Sequence, residues 1–156
     1  PDTVMLTATW EATQQLRLSG LLRWAKWSNF DELVIKGSGK VRSVVRNDWG
    51  DAWLVSLGAA YKFNDTWTGR CGIAYEKSPI KEAETRTAVI PDGNRLWLSV
   101  GGSYHHSKNL QLDVGFTYLT AVSAAPLYAS DASKEKIGKY KKLDAYLIGA
   151  QLQYRF

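Results

Sequence analysis

The sequence predicts an all-β protein, an antiparallel up-and-down transmembrane β-barrel of about seven strands, from three observations. Apolar and polar residues alternate in segments of about ten residues, the length a tilted strand needs to cross a bilayer. Aromatic residues gather at the ends of these segments. The connections between segments are alternately short and long, as in outer-membrane barrels.

Composition bounds the remaining possibilities. The chain has 156 residues, a net charge of +5 and one cysteine, Cys71. No run approaches the roughly 18 apolar residues of a transmembrane helix, and one cysteine excludes both a disulfide framework and a cysteine-based zinc site. The length allows one domain at most, so we expect residues 1–156 to be a single, partial barrel domain.

The first four segments each have one apolar face, and the opposite face is small or polar. In chain order, these apolar faces are Val4, Leu6, Ala8 and Trp10; Leu16, Leu18, Leu22 and Trp24; Trp53, Val55, Leu57, Ala59, Tyr61 and Phe63; and Trp67, Cys71, Ile73 and Tyr75. Such period-two alternation predicts strands that are apolar on one side. Cys71 is interpreted as a small lipid-facing residue.

The last three segments repeat the pattern with Leu96, Leu98, Val100 and Tyr104; Leu110, Leu112, Val114, Phe116 and Tyr118; and Tyr146, Ile148, Ala150, Leu152, Tyr154 and Phe156. The opposite faces are rich in Gly, Ser and Thr and also carry charges. Charges are costly against lipid but ordinary in a barrel lumen. We therefore predict a network of paired lumen charges made by Arg70, Glu76, Arg95 and Asp113. Trp97 also lies on this face, either lining an apolar passage or filling space.

The aromatic residues distinguish a membrane barrel from a soluble β-sandwich, whose aromatics would scatter through a core. One girdle lies beside the short connections, and a second lies at the opposite segment ends. The first contains Trp10, Phe63, Trp67, Tyr104, Tyr154 and Phe156, and the second contains Trp24, Trp53, Tyr75, Tyr118 and Tyr146.

The connection lengths are consistent with one orientation of the barrel. Residues 13–15, 64–66 and 105–109 form short connections, whereas 26–51, 77–94 and 120–142 form long ones. Outer-membrane barrels have short periplasmic turns and long outer loops. If the C-terminal strand ends at the periplasm, all three short connections fall there and all three long ones face outward.

The long connections contain unusually apolar runs. They include Phe30, Leu33, Val34 and Ile35, then Val89, Ile90 and Pro91, then residues 124–129. These runs suit either a groove for an apolar ligand or loop-to-loop packing over the barrel mouth. Both interpretations stay open at this point.

Basic residues crowd the same side of the predicted barrel. Lys40, Arg42 and Arg46 precede the third segment, and five lysines precede the seventh. An arginine there can hold a fatty carboxylate, because its planar fork matches two oxygens. The other interpretation is attraction to anionic lipopolysaccharide.

Catalytic, metal-binding and nucleic-acid functions find no support. His105 and His106 are the only histidines and lie in a short connection, away from Ser and Asp candidates in the outer loops. Neighbouring side chains on an extended chain point to opposite faces, so the pair makes a poor metal site. The aromatics lack the basic interleaving of nucleic-acid stacking platforms. We predict neither enzyme activity nor a cofactor.

One resemblance extends over essentially the whole chain. It is carried by residues 70–80, RCGIAYEKSPI, and 89–101, VIPDGNRLWLSVG, with supporting pieces WAKWSNF at 24–30, WGDAW at 49–53 and YRF at 154–156. This combination resembles the FadL-type outer-membrane transporters of long-chain fatty acids and other hydrophobic compounds.

The resemblance implies the C-terminal half of a fourteen-stranded barrel in the outer membrane of a Gram-negative bacterium, without the N-terminal plug and the first strands. Pro1 stands where an initiator Met would be expected, which fits a piece of a longer chain. Arg46 lies near the family's basic ligand-contacting position. The expected partners are lipopolysaccharide and, through the strand ending at Phe156, the barrel-assembly machinery.

The predicted function is passive uptake of long-chain fatty acids or other hydrophobic small molecules. The ligand would contact Arg46, Arg42, Phe30, Leu33, Ile90 and Trp97. The alternatives are a general structural barrel or porin and a soluble lipid-binding β-barrel. A porin would need a wide hydrophilic mouth, against which the apolar loops argue.

Overall fold

A computed structural model describes residues 1–30, 32–37, 40–46, 49–81, 92–122, 125–128, 136–140 and 142–156. Within these ranges one 3-10 helix covers Trp27–Asn29, and no helix is long and apolar enough to cross a membrane. The strands are β1 Thr3–Glu11, β2 Leu16–Ala25, β3 Glu32–Gly37, β4 Lys40–Arg46, β5 Ala52–Lys62, β6 Trp67–Lys77, β7 Arg95–His105, β8 Leu110–Ala121, β9 Ala125–Tyr128, β10 Lys136–Tyr140 and β11 Asp144–Tyr154.

Seven of the described strands form one sheet in the order β1-β2-β5-β6-β7-β8-β11. Every neighbouring pair is antiparallel and consecutive among the sheet strands, which confirms the up-and-down order. Two predicted loops contain additional hairpins, β3–β4 and β9–β10. The first of these is rich in β-branched residues, which favour extended backbone.

The register places the predicted apolar faces on one side of the sheet. Trp24 pairs with Trp53, Leu57 with Ile73, and Tyr118 with Tyr146. Large side chains on this apolar face are exposed, and among the described residues only Ala25 and Ala52 are buried hydrophobics. The sheet therefore has no packed core behind this face, and lipid is the solvent that suits it.

All three short connections are closed by the same local device. In each, a side-chain oxygen accepts a hydrogen bond from the backbone N–H that begins the next strand, a turn that Thr, Asn and Ser favour. The pairs are Thr13 with Leu16 at 2.9 Å, Asn64 with Trp67 at 2.8 Å and Ser107 with Leu110 at 3.1 Å. We call this edge of the sheet the turn end and the opposite edge the loop end.

Candidate ligand cavity at the loop end

Backbone contacts tie the long connections together at the loop end. The Gly50 N–H donates to the Pro79 carbonyl at 2.6 Å, which joins the β4–β5 connection to the β6–β7 connection. The Ser78 N–H donates to the Asn94 side-chain oxygen at 2.9 Å. Val122, beyond β8, donates to the Asn94 carbonyl at 2.8 Å. These connections therefore form one rim above the sheet.

Asp51 anchors the 3-10 helix to this rim. Its carboxylate accepts hydrogen bonds from Trp24 Nε1 at 3.1 Å and from the Ser28 N–H at 3.3 Å. Hydrogen bonding by Ser28, first from its side chain, holds the pKa of Asp51 below the ordinary aspartate value, although some desolvation opposes it. Asp51 is therefore ionised at neutral pH and holds the 3-10 helix, which begins at Trp27, next to the start of β5.

Three aromatic rings pack together on this anchored segment, and we call them the rim aromatic cluster: Trp27, Phe30 and Trp49. The Trp27 and Trp49 centroids are 5.4 Å apart, and Phe30 lies 5.5 Å from Trp49 and 6.4 Å from Trp27. Tilted and edge-on pairs at such distances add about 0.5–1.5 kcal/mol each beyond their area burial. The cluster thus provides an ordered apolar wall.

A cavity of about 450 Å³ lies between this wall and the polar face of the sheet. Its upper part is mainly apolar and its floor is charged. It is lined by Pro1, Thr3, Arg23, Ala25, Trp27, Trp49, Ala52, Glu76, Pro79, Ile80, Asp92 and Arg95. A volume of this size, with apolar side chains beside a small group of charged ones, is typical of small-molecule sites.

The charged floor is a set of ion pairs that we call the floor quartet: Arg23, Glu76, Asp92 and Arg95. Arg23 Nη2 lies 2.8 Å from Glu76 Oε1, and Arg95 Nη2 lies 3.3 Å from both Glu76 Oε2 and Asp92 Oδ1. The Glu76 side chain is only 12% exposed. Because Glu76 faces Arg95 in the β6–β7 register, adjacent strands bring these charges together.

An apolar row crosses the same face directly below the floor quartet. Register places Ala74 opposite Trp97, and Trp97 opposite Leu119. Leu21 of β2 lies in the same row, because it pairs with Ser56 of β5, which in turn pairs with Ala74. The Trp97 indole nitrogen is shielded from solvent and has no hydrogen-bond partner among the residues the structure describes. This row extends the apolar lining from the cavity towards the turn end.

A second charged cluster lies nearer the turn end. Ser103 is fully buried and donates to Asp113 Oδ1, while Arg70 Nη1 donates to Ser103 Oγ and lies 3.5 Å from Asp113. Gln111 Nε2 donates to both Asp113 oxygens at 2.9 Å. Arg70 and Glu76 are about 20 Å apart along β6, at about 3.3 Å per residue. The four predicted network residues therefore occupy two separate clusters.

The predicted ligand residues have different positions in the structure. Phe30 lies in the rim aromatic cluster and Trp97 in the apolar row. Leu33 belongs to β3, and Arg42 and Arg46 to β4, but their side chains lie outside the described structure, as does all of Ile90.

Several lining residues were not among the predicted ligand residues, including Arg23, Trp27, Trp49 and Asp92. Trp27 and Trp49 occur in the sequence pieces that carried the family resemblance, which was the available signal. Arg23 lies on the polar face of the second segment, between the apolar Leu22 and Trp24. Asp92 comes from a connection, where period-two alternation gives no information about facing.

Comparison with known proteins identifies relatives of the whole chain. The family model described as "Outer membrane protein transport protein (OMPP1/FadL/TodX)" matches residues 1–156. The long-chain fatty acid transport protein of Salmonella typhi is 35% identical over 86% of this chain and 30% of its own length. The 47 kDa outer membrane protein of Pasteurella multocida is 32% identical over 97% of this chain and 35% of its own. The chain thus spans about a third of these curated relatives.

Solved structures give the same architecture. The crystal structure of a Pseudomonas aeruginosa FadL homologue superposes with a TM-score of 0.86 at 25% identity, over 97% of this chain and 35% of the other. The Ralstonia pickettii toluene transporter TbuX superposes with a TM-score of 0.61 at 19% identity, over 97% of this chain and 33% of the other. The latter similarity concerns the fold alone.

Proposed function

Because the chain belongs to the OMPP1/FadL/TodX family of outer membrane transport proteins, we propose that it forms the ligand-collecting part of a barrel wall. That barrel takes up long-chain fatty acids or other hydrophobic small molecules by passive diffusion. Its named relatives are outer-membrane and transport proteins, not enzymes. The chain itself is an outer-membrane β-barrel segment whose apolar face meets lipid.

The observation that carries the proposal is the loop-end cavity on the side of the sheet opposite the lipid face. Apolar compounds from the outer loops would enter against Trp27, Trp49 and Ile80. Area burial supplies the affinity, at about 25 cal/mol per Å² of apolar surface. The cavity is open, so a bound ligand can leave it again.

Passive movement is supported by the apolar row below the cavity. Leu21, Trp97 and Leu119 lie at one level of the lumen face just below the floor quartet, so a ligand that leaves the cavity would exchange one weak apolar contact for another there. Conduction requires binding that is strong enough to capture and weak enough to release. Trp97 is thereby proposed as a passage residue.

A closed barrel requires strands beyond the seven described in the sheet. β1 and β11 are separated by five intervening strands, so they run parallel and each has one unpaired edge in the described structure. Unpaired strand edges do not occur in lipid, so the barrel must close. Because β1 and β11 run parallel, antiparallel closure between them needs an odd number of additional strands. We propose that residues 1–156 are the C-terminal half of such a barrel.

The other predicted contacts belong to the same proposal. Arg42 and Arg46 of β4, with Leu33 and Ile90, would hold the ligand before it reaches the cavity. Lysines of the outer connections would contact lipopolysaccharide. Phe156, fully exposed after β11, would contact the barrel-assembly machinery.

The test measures ligand uptake by the full natural chain containing these residues. The variant Trp27→Ala/Trp49→Ala removes the cavity wall and should reduce oleate uptake about ten-fold, because two half-buried aromatic rings that line the cavity are lost. Trp10→Ala, on the lipid face near the turn end, is the matched control and should leave uptake nearly unchanged.

The assay uses cells that lack their own fatty acid uptake protein, at equal membrane levels of each variant. Normal oleate uptake by the cavity variant would contradict the proposal. Uptake of small hydrophilic sugars in place of oleate would indicate a general porin.

A further inference from the structure

We propose that the loop-end cavity selects the uncharged members of its ligand class: alcohols, esters, alkylbenzenes and the acyl portion of fatty acids, but not a carboxylate headgroup. This inference rests on the proposed function of the cavity as a ligand site. It concerns which part of a ligand the cavity receives, and it follows from the charges on the cavity floor.

The floor quartet has no net charge. Its two arginines face two carboxylates, and Glu76 bridges both guanidinium groups through its two oxygens, at 2.8 Å to Arg23 and 3.3 Å to Arg95. Arg95 also contacts Asp92 at 3.3 Å. Among the side chains that line the described cavity, every cation is therefore already paired with an anion.

A carboxylate entering this cavity would meet competition for both arginines. Glu76 is only 12% exposed and Asp92 only 14%, so neither can turn away into water without moving the chain around it. The incoming anion would be repelled by two nearby carboxylates, and each arginine that it met would already be paired with one of them. Burial of a charge without a partner is strongly unfavourable.

An uncharged ligand avoids these costs. Trp27, Trp49, Pro79 and Ile80 offer apolar contact above the quartet. A hydroxyl or ester oxygen can accept one additional N–H from a paired guanidinium, which has five donors, without displacing its carboxylate. A fatty acid would consequently lie with its acyl chain in the cavity and its headgroup outside, where Arg42 and Arg46 are the predicted partners.

The experiment measures binding of 1-octanol and octanoate to the full natural chain in detergent, by calorimetry at a pH of about 8, where octanoate is ionised. Because Pro1 lines the cavity, its nitrogen must be an uncharged amide in every sample, formed either with the preceding residue or by acetylation. The decisive variant is Glu76→Gln, which leaves both arginines with Asp92 as the only remaining carboxylate of the floor quartet. Glu11→Gln is the matched control, since Glu11 pairs with Arg17 at 2.5 Å near the turn end.

The expected result is a selective gain. Wild-type protein and Glu11→Gln should bind octanol at least about ten-fold more tightly than octanoate, whereas Glu76→Gln should raise octanoate affinity by about ten-fold and change octanol affinity less than about two-fold. Asp92→Asn, which frees one contact of Arg95, should shift octanoate in the same direction by a smaller factor. Asp92→Asn becomes the test variant if the Glu76→Gln protein does not assemble in the membrane.

Two outcomes would overturn the inference while leaving the proposed function intact. One is octanoate binding to wild-type protein as tightly as octanol. The other is an equal change for both ligands in Glu76→Gln, which would assign Glu76 a structural role only. Absence of saturable binding for octanol, octanoate and toluene alike would instead contradict the cavity as a ligand site and so the proposed function itself.

Discussion

The two faces of the seven-stranded sheet differ in exposure, although successive residues of the same strands alternate between them. On one face Leu57 is 64% exposed and Ile148 84%, whereas on the other Ser103 is fully buried in a polar cluster. In a water-soluble protein this distribution would be destabilising. Here the apolar face has lipid as its solvent, and charged and polar side chains pair with one another in two clusters on the lumen side. Exposure therefore reports the surrounding solvent, not the quality of packing.

The largest expected effect comes from placing one charge on each face. Leu98→Arg should destabilise the membrane-inserted state by about 2–4 kcal/mol, because it exposes a guanidinium to mid-bilayer lipid. Ser99→Arg, one residue along β7, should escape most of this cost. Folding yields and urea midpoints in lipid vesicles measure the difference. Equal yields for the two variants would mean that the facing of β7 is wrong.

The next comparison is between two glycines of the lumen face. A Cβ at Gly101 would lie 2.9 Å from the Val114 carbonyl oxygen, a backbone atom that cannot move without disturbing β8, whereas the nearest atom to a Cβ at Gly115, between β7 and β11, is the Val100 carbonyl oxygen at 4.0 Å. Gly101→Ala should therefore cost about 1–3 kcal/mol. Gly115→Ala should be neutral or slightly stabilising, because alanine restricts the unfolded chain. Urea titration in vesicles measures both, and a tolerated Gly101→Ala would show that the strands can separate there.

Ligand chemistry tests the predicted role of Arg46 in β4. Arg46→Glu should weaken binding of a long-chain fatty acid about ten-fold and leave the corresponding alcohol nearly unchanged, since a guanidinium acts on the carboxylate alone. The added repulsion should weaken at high salt. Binding assays with acid and alcohol, on both proteins, provide the measurement. An equal loss for both ligands would give Arg46 a structural role in its hairpin.

The smallest expected effect is a pH dependence at the rim. The pKa of Asp51 is lowered in the folded state, so its contribution to stability is present above the ordinary aspartate pKa and is lost as the pH falls through the lower folded value. The Trp24 indole N–H resonance should shift over that acidic range because it donates to Asp51. Asp51→Asn should abolish the titration, and a shift that persists in this variant would assign it to another group.

The strands were predictable because alternation is a local property. Successive residues of β6 and of β8 point alternately to lipid and to the lumen. Because lipid tolerates few polar groups, this pattern is clear in the sequence. Similarly, the short turns were predictable from the small number of residues between segments, and the structure closes them with side-chain hydrogen bonds of Thr13, Asn64 and Ser107. The hairpins β3–β4 and β9–β10 were missed because they lie beyond the lipid, where no solvent enforces alternation.

The sequence by itself therefore determined the seven strands, their order and the face each residue takes, since all three follow from local alternation and connection length. Only the tertiary structure decided which charges meet. Register between strands brought Arg23 and Arg95 to the two oxygens of Glu76, and a connection folded back to add Asp92. It also kept Arg70 and Asp113 apart from that group. Pairing depends on distances across strands, which a one-dimensional pattern does not contain.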